Sequence, residues 1–235
     1  MRTARPLEKR AILEGHFLLH HLPAETLENL SRYVRLQKFA KGDVIVQKGA
    51  AGSGMMAVVE GRVKISTVSP DGKEIILDFI NPGEVFGEIA LLDKRERTAD
   101  AIAMEACRVL VLERREFLPF LERHPKTCIK LLSVLCGRLR HTNQLIEDSL
   151  FLNVESRLAK RLLGFTRQYG EPRPDGILVR LKLSQREIAA LIGVTRESIN
   201  KQLSAWQERG WVKVSRGSIL VTDIEALESV VDIYL

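Results

Sequence analysis

The chain has 235 residues, of which 45% are hydrophobic and 28% are charged, and its net charge is +6. This composition is typical of one large or two modest globular domains. No apolar run approaches the roughly 20 residues that cross a bilayer, and the N-terminus shows no apolar core of a secretion signal, so we expect a cytoplasmic protein without a membrane partner.

The cysteines and histidines give no sign of a metal centre. Three cysteines, Cys107, Cys128 and Cys136, are widely spaced, which argues against a disulfide framework and against a zinc cluster. Cys128 and Cys136 fall in an apolar helical pattern, so we expect small core or seam residues, with a redox sensor as the alternative. The five histidines show no metal-ligand spacing. We expect no metal.

The first part of the chain predicts short helices followed by a β-domain. Residues 7–32 have helical patterns, with a helix start near Pro23. Pro70, Asp71, Gly72 and Lys73 form a hairpin-turn signal. Short β-rich runs alternate with glycines at residues 43–46, 56–59, 62–65, 74–77 and 108–112. Many short strands at regular spacing predict an antiparallel barrel or jelly roll.

Residues 83–99 interrupt this strand pattern with a motif suited to a nucleotide. Gly87 tolerates a positive φ, and a helical turn after it would expose backbone N–H groups to a phosphate. Arg97 offers a planar fork for phosphate oxygens, and Glu88 offers acceptors for sugar hydroxyls. The alternative is a surface loop with a structural salt bridge between Glu88 and Arg97.

Residues 114–150 predict a helix with an apolar stripe of heptad type. The stripe contains Ile129, Leu132, Leu135, Cys136, Leu139, Thr142, Asn143, Ile146 and Leu150. It is long enough for a coiled-coil contact, so we expect a dimer helix, with packing on the chain's own barrel as the alternative. Polar Thr142 and Asn143 break the stripe, and polar seam residues can fix the register of a coiled coil.

The last third of the chain predicts a helix-turn-helix with a wing. Residues 155–168 continue as a helix, and residues 170–176 predict a loop because they are rich in proline and glycine. Ser184 and Glu187 form a capping-box pattern, Gly193 predicts the turn, and Thr195 starts a second helix. Residues 211–221 predict a β-hairpin wing.

The second of these helices has the residue types that read DNA. Arg196, Glu197 and Asn200 or Lys201 lie near its N-terminal end, from which side chains reach base edges in the major groove. Residues 177–217 contain eight basic and three acidic residues, so they hold most of the positive excess. The residues expected to contact DNA are Ser184, Gln185, Arg186, Thr195, Arg196, Glu197, Ser198, Asn200 and Lys201.

These motifs resemble those of the CRP/FNR family of transcription regulators. Gly87, Glu88, Arg97 and Thr98 match the family's phosphate-binding cassette, in which the glutamate binds the ribose and the arginine binds the cyclic phosphate. The resemblance places Thr142 and Asn143 where the catabolite-activator branch contacts the nucleobase, one residue from each subunit. The residues it implies for the nucleotide are Phe86, Gly87, Glu88, Ile89, Ala90, Arg97, Thr98, Ala99, Thr142 and Asn143.

The resemblance covers nearly the whole chain and implies an α+β architecture in three parts. These are a cyclic-nucleotide-binding β-barrel at residues 1–122, a dimerisation helix and hinge at 123–152, and a winged helix-turn-helix at 153–235. It implies a homodimer on a palindromic, TGTGA-like operator, with RNA polymerase as a further partner. Lys201 replaces the catabolite activator's arginine, and lysine is a point donor, so the preferred base at that step stays open.

The effector implied by the resemblance is cAMP, with cGMP as the second ligand. In eukaryotic kinase relatives an Arg-Thr-Ala triplet, here Arg97 to Ala99, accompanies cGMP.

The first alternative is a regulator of the same fold that is ligand-independent or gated by another effector. The oxygen-sensing relatives have an N-terminal cysteine cluster that is missing before Cys107, so we expect no iron–sulfur cluster, and we expect no haem. The second alternative is a nucleotide hydrolase, which we disfavour because no metal motif or base lies near Arg97 in sequence.

Overall fold

A computed structural model describes residues 6–180, 183–215 and 217–232. The chain divides into two compact units. One comprises residues 1–67 and 77–139, and the other comprises residues 68–76 and 140–235. None of the helices in the described ranges has both the length and the apolar character needed to cross a bilayer.

The first unit contains the predicted antiparallel β-domain. The strands are β1 (Arg35–Phe39), β2 (Val44–Val46), β3 (Gly54–Glu60), β4 (Val63–Val68), β5 (Glu74–Ile80), β6 (Val85–Phe86), β7 (Asp100–Ala103) and β8 (Cys107–Glu113). They form two four-stranded sheets, with the orders β1-β8-β3-β6 and β2-β7-β4-β5. All five predicted runs lie within or overlap strands, and the β4–β5 turn is closed by Gly72, whose φ is +81°.

Strands β1, β6 and β7 were not predicted from the sequence. Strand β1 contains three polar residues in five positions, and β6 has only two residues, so neither shows a usable alternation. Both are nevertheless paired, β1 with β8 and β6 with β3. Their pairing is determined by long-range contacts that local sequence does not report.

Two N-terminal helices, α1 (Pro6–Glu14) and α2 (Ala24–Ser31), share a core with one sheet of the β-domain. Leu13, Leu27 and Leu30 are buried in the same cluster as Leu110 of β8 and Phe117. The helical lead-in therefore covers apolar surface of the β-domain, as its amphipathic pattern predicts.

Three further helices follow in chain order: α3 (Glu88–Asp93), α4 (Arg114–Arg123) and α5 (Pro125–Phe151). The predicted helical run from 114 to 150 is broken at His124, which has φ −128° and ψ 71°. The residue before a proline is disfavoured in the α conformation, so Pro125 ends α4 and begins α5. Helix α5 buries Thr127 and Leu131, whereas most of the predicted stripe remains exposed.

The second unit contains the remaining helices around a four-stranded sheet of order β11-β12-β10-β9. Its core includes Leu158, Leu162, Ile199, Leu203 and Trp206, each at most 2% exposed. The elements are α6 (Val154–Tyr169), β9 (Gly170–Arg173), β10 (Gly176–Val179), α7 (Gln185–Ile192), α8 (Arg196–Glu208), β11 (Val212–Ser215), β12 (Ser218–Val221) and α9 (Ile224–Asp232).

The prediction of a loop at residues 170–176 was wrong. Residues 170–173 form β9, which pairs in antiparallel fashion with β10 and places Pro172 opposite Ile177. Strand β9 is the edge of its sheet, and proline is tolerated on an edge because its missing N–H can face solvent. Proline content alone therefore misled the prediction.

Candidate functional site

The site begins at Gly87, where strand β6 turns into helix α3. Gly87 has φ +79°, a left-handed conformation that favours glycine. A Cβ at this position would lie 2.5 Å from Arg97 Nη1 and 2.9 Å from Met56 Cε. A side chain at residue 87 would therefore strain the turn and displace Arg97.

Arg97 is held against this turn by two backbone carbonyls. Its Nη1 donates to Gly87 O and its Nη2 donates to Gly54 O, each at 2.8 Å. A Cβ added at Gly52 would come within 2.3 Å of Ala90 Cβ and 3.0 Å of Arg97 Nε, so Gly52 also leaves room for the guanidinium. Burial lowers the pKa of Arg97, although the charge of Glu88 opposes this shift. The guanidinium is thus a desolvated cation that a bound anion would stabilise.

Glu88, the first residue of α3, is fully buried. Its Oε1 pairs with Nη1 of Arg138, and Nη2 of Arg138 donates to Val85 O. Its Oε2 is buried and accepts no hydrogen bond from any described residue. A buried acceptor without a partner is unfavourable, so a donor from a ligand would stabilise it. The alternative salt bridge between Glu88 and Arg97 is replaced by the pair with Arg138.

Arg138 is a site residue that sequence reasoning missed. It lies on α5, fifty positions from Glu88, and its side chain is 28% exposed. The available signal was its position one helical turn before Thr142, which puts both residues on the same face of the helix. This helical spacing alone does not identify Glu88 as the partner of Arg138.

The other predicted nucleotide residues differ in exposure. Phe86 and Ala90 are buried and form the walls of the turn, and Ala99 is half-buried. Ile89 and Thr98 are exposed. Thr142 and Asn143 are exposed on α5 and belong to the second compact unit. The structure therefore brings Gly87, Glu88 and Arg97 together.

The residues of the first unit fit a cyclic nucleotide. The unpartnered Glu88 Oε2 suits a sugar hydroxyl, and the desolvated Arg97 suits a phosphate. The glycines at 52 and 87 leave the guanidinium unobstructed. Arg138 keeps the Glu88 carboxylate oriented through its other oxygen.

The second unit contains the predicted helix-turn-helix. Ser184 and Glu187 form a complete capping box at the start of α7, and Gly193 ends that helix with φ +71°. The side chain of Thr195 accepts from Ser198 N and caps α8. These predictions are confirmed. The sequence could make them because each cap depends on residues only three or four positions apart.

The predicted DNA-contacting residues lie at the start of α7 and along α8. Arg196, Glu197 and Lys201 are exposed. Asn200 is half-buried, and its Oδ1 is enclosed without a hydrogen-bond partner among the described residues, so Lys201 is the better placed of the two alternatives. Ser184, Arg186 and Thr195 are also exposed, whereas Gln185 and Ser198 are half-buried.

The predicted wing is the hairpin of β11 and β12, which pairs Val212 with Val221. Arg216 and Lys182, two of the eight basic residues counted in residues 177–217, lie outside the described residues. Lys213 of β11 is exposed and pairs with Asp175 at 2.9 Å. Part of the wing's basic charge is therefore neutralised within the hairpin sheet.

A glycine-turn anion site on a β-domain and a winged helix-turn-helix in one chain define a class of ligand-responsive DNA-binding regulators. Residues 36–124 match the cyclic nucleotide-binding domain family, and residues 156–230 match the Crp-like helix-turn-helix domain family. The chain belongs to the CRP/FNR family of transcription regulators.

Named relatives agree with this assignment. The chain is 32% identical to the CRP-like cAMP-activated global transcriptional regulator of Mycobacterium tuberculosis, over 84% of this chain and 88% of the relative. It is 30% identical to the cyclic AMP receptor protein of Thermus thermophilus, over 93% and 98%. The crystal structure of a second CRP-family transcriptional regulator from Thermus thermophilus superposes with a TM-score of 0.71 at 25% identity, covering 83% and 96%.

Proposed function

We propose that the chain is a homodimeric transcription regulator that binds cAMP and then binds a palindromic operator. The observation that carries the effector site is the buried Glu88 carboxylate, with one unpartnered oxygen, next to the desolvated guanidinium of Arg97. The printed names of the Mycobacterium and Thermus relatives, which are cAMP-activated or cyclic AMP receptors, support the choice of nucleotide.

Each site residue has a separate role in this proposal. Arg97 neutralises the cyclic phosphate, exchanging its bonds to the neutral carbonyls Gly87 O and Gly54 O for stronger bonds to an anion. Glu88 Oε2 accepts a ribose hydroxyl, and Arg138 holds the other oxygen. Thr142 and Asn143 contact the base, one residue from each subunit, as the family pattern implies.

The DNA partner is read by α8 of each subunit. Two recognition helices read a palindrome when their half-sites are one turn of DNA apart, roughly 34 Å. The effector can alter DNA binding only through its different affinity for the DNA-competent and DNA-incompetent states. We also propose a cytoplasmic location and RNA polymerase as a further partner. The proposed domains are the effector domain at residues 1–122, the dimerisation helix and hinge at 123–152, and the DNA-binding domain at 153–235.

The test combines calorimetry with DNA binding. Arg97→Gln removes the phosphate partner, whereas the matched control Arg95→Gln removes a charge from an exposed position of the same loop. We expect Arg97→Gln to weaken cAMP binding by about 100-fold, because it removes a charge-assisted bidentate contact. Arg95→Gln should bind as the wild type does. A gel shift on a duplex selected from a random pool, with and without nucleotide, then reports the coupling.

The same experiment distinguishes cAMP from cGMP. Thr98 is exposed and its hydroxyl can accept from the guanine amino group. If it makes that contact, Thr98→Ala should lower cGMP affinity about fivefold and leave cAMP affinity unchanged. Absence of binding below about 100 μM for both nucleotides contradicts the proposal and favours a ligand-independent or differently gated regulator. Loss of cyclic nucleotide on incubation would instead reveal a hydrolase.

A further inference from the structure

One carboxylate of the second unit contacts α8 at three points. Glu155 lies in the first turn of α6, two residues after the N-cap Asn153. Its Oε1 accepts from Trp206 Nε1 at 2.9 Å and from Gln202 Nε2 at 3.0 Å, and it lies 3.5 Å from Nη1 of Arg209.

The three donors lie on one face of α8 and its C-cap. Positions 202, 206 and 209 are separated by four and three residues, which is the spacing of one helical stripe. All three contacts converge on one oxygen, Glu155 Oε1. A single carboxylate therefore holds this stripe against α6 and opposes rotation of α8 about its axis.

Burial makes the hydrogen bond between Trp206 and Glu155 important for stability. Trp206 is fully buried, and its indole N–H has Glu155 as its partner. Without an acceptor this N–H would be buried and unpaired, so the indole would have to move. Arg209 is held from a second side, with its guanidinium 5.0 Å from the ring centroid of Trp211. The stripe is thus held by directional contacts in addition to apolar packing.

Apolar packing alone restrains rotation less well. Ile199 and Leu203 are buried on α8, but apolar contacts are non-directional and tolerate small rotations. A rotation of about 10° moves atoms at the helix surface by about 1 Å, which is enough to spoil a bidentate bond to a base. The exposed side chains of Arg196, Glu197 and Lys201 would all be displaced together.

We propose that Glu155 is a positioning residue that fixes the rotation of α8 and thereby the base selectivity of this regulator. This inference rests on the proposed DNA-reading function of α8. It predicts that loss of Glu155 lowers discrimination between DNA sequences more than it lowers general affinity for DNA, because phosphate contacts depend less on helix rotation than base contacts do.

The test compares Glu155→Ala and Glu155→Gln with the control Glu208→Gln, which changes the same charge at an exposed position of α8. The operator is first selected with the wild type from a random pool. We expect Glu155→Ala to reduce the ratio of operator to random-duplex affinity by about tenfold, as for a weakened base contact. Glu155→Gln keeps an oxygen acceptor for Trp206, so it should recover part of that ratio. Glu208→Gln should match the wild type.

A spectroscopic measurement on the whole protein reports the helix directly. The chain has two tryptophans, so Trp211→Phe leaves Trp206 as a single indole N–H resonance. We expect Glu155→Ala to shift that resonance and Glu155→Gln to shift it less, with cAMP affinity unchanged in both. If operator and random-duplex affinities fall equally, or if the indole resonance does not move, the positioning role is overturned. If the wild type itself does not discriminate between duplexes, the DNA-reading function fails and this inference fails with it.

Discussion

His16 is a buried histidine whose protonation state is constrained by the fold. It is 6% exposed, its Nδ1 accepts from Leu18 N at 3.3 Å, and its Nε2 has no hydrogen-bond partner among the described residues. It lines a cavity of about 30 Å³ whose walls include Leu13, Met55 and Phe117. Burial lowers the pKa of His16 from 6.5 to about 4, because an imidazolium in this apolar pocket would be poorly solvated.

This shift predicts acid sensitivity of the first unit. Between pH 6.5 and about pH 4 His16 is protonated in the unfolded chain but remains neutral in the folded chain. The free energy of unfolding is therefore at its full value above pH 6.5 and decreases as the pH falls to about 4. This lowering of the pKa of His16 corresponds to about 3 kcal/mol of unfolding free energy. Denaturant unfolding of the wild type and of His16→Gln across this range measures it. The glutamine does not titrate, so the acid-dependent loss should shrink by that amount.

The control is His20→Gln, which removes a histidine from an exposed position close by. Its acid limb should match that of the wild type, because the buried imidazole at position 16 is retained. An unchanged acid limb in His16→Gln would show that other groups cause the loss of stability.

At the scale of single residues, the sequence predicted chemical types but not their partners. Gly87, Glu88 and Arg97 were identified because they lie within eleven positions of one another and form a recognisable motif. Arg138 and Gly52 were not, because they approach the motif from fifty and thirty-five positions away through tertiary packing. No local pattern marks such pairs.

At the scale of elements, an ion pair within the second unit stabilises the junction between α5 and α6. Asp148 Oδ1 accepts from Lys160 Nζ at 2.7 Å and from Gln144 Nε2 at 2.9 Å. The side chain of Asp148 is 16% exposed, so this pair is less screened by solvent than a surface pair. It bridges the break between the helices, where Asn153 caps α6 by accepting from Ser156 N.

We expect Asp148→Asn to loosen this junction. Removing the charge leaves Lys160 half-buried without its counterion, and a local cost of about 1 kcal/mol corresponds to about fivefold faster amide exchange. Hydrogen–deuterium exchange of peptides covering residues 149–156 measures the opening. Glu147→Gln is the neighbouring charge control, because Glu147 is exposed and accepts from Gln144 Nε2 at the long distance of 3.4 Å. Equal exchange in all three proteins would show that the caps alone hold the junction.

Elements were predicted best where short-range chemistry determines them. The capping box of α7, the Gly193 turn and the β4–β5 hairpin depend on residues within a few positions, and all were found. The β9–β10 hairpin was missed because Pro172 disfavours a strand locally, whereas its position at a sheet edge permits one. Strand β6 was missed because two residues cannot show a period.

At the scale of the whole molecule, α5 leaves an apolar stripe without a partner in the described chain. Ile129 is 63% exposed, Leu132 53%, Leu139 62% and Leu150 71%. With Cys136, Asn143 and Ile146 these positions alternate by three and four residues, which is the heptad spacing of a two-helix seam. A stripe of this length favours association with a second copy.

Leu139→Glu places a charge in the middle of that stripe. We expect the wild type to sediment as a dimer in analytical ultracentrifugation and Leu139→Glu to sediment as a monomer, because two facing carboxylates would be desolvated at the seam. Operator binding should fall with it, since a palindrome needs two recognition helices, whereas calorimetric binding at Glu88 and Arg97 should weaken less.

Gly137→Glu is the matched control, because residue 137 is off the stripe and an added Cβ meets nothing within 4 Å. It should remain dimeric. A dimeric Leu139→Glu protein that still binds operator would place the subunit contact elsewhere, and a monomeric Gly137→Glu protein would mean that added charge anywhere on α5 disrupts assembly.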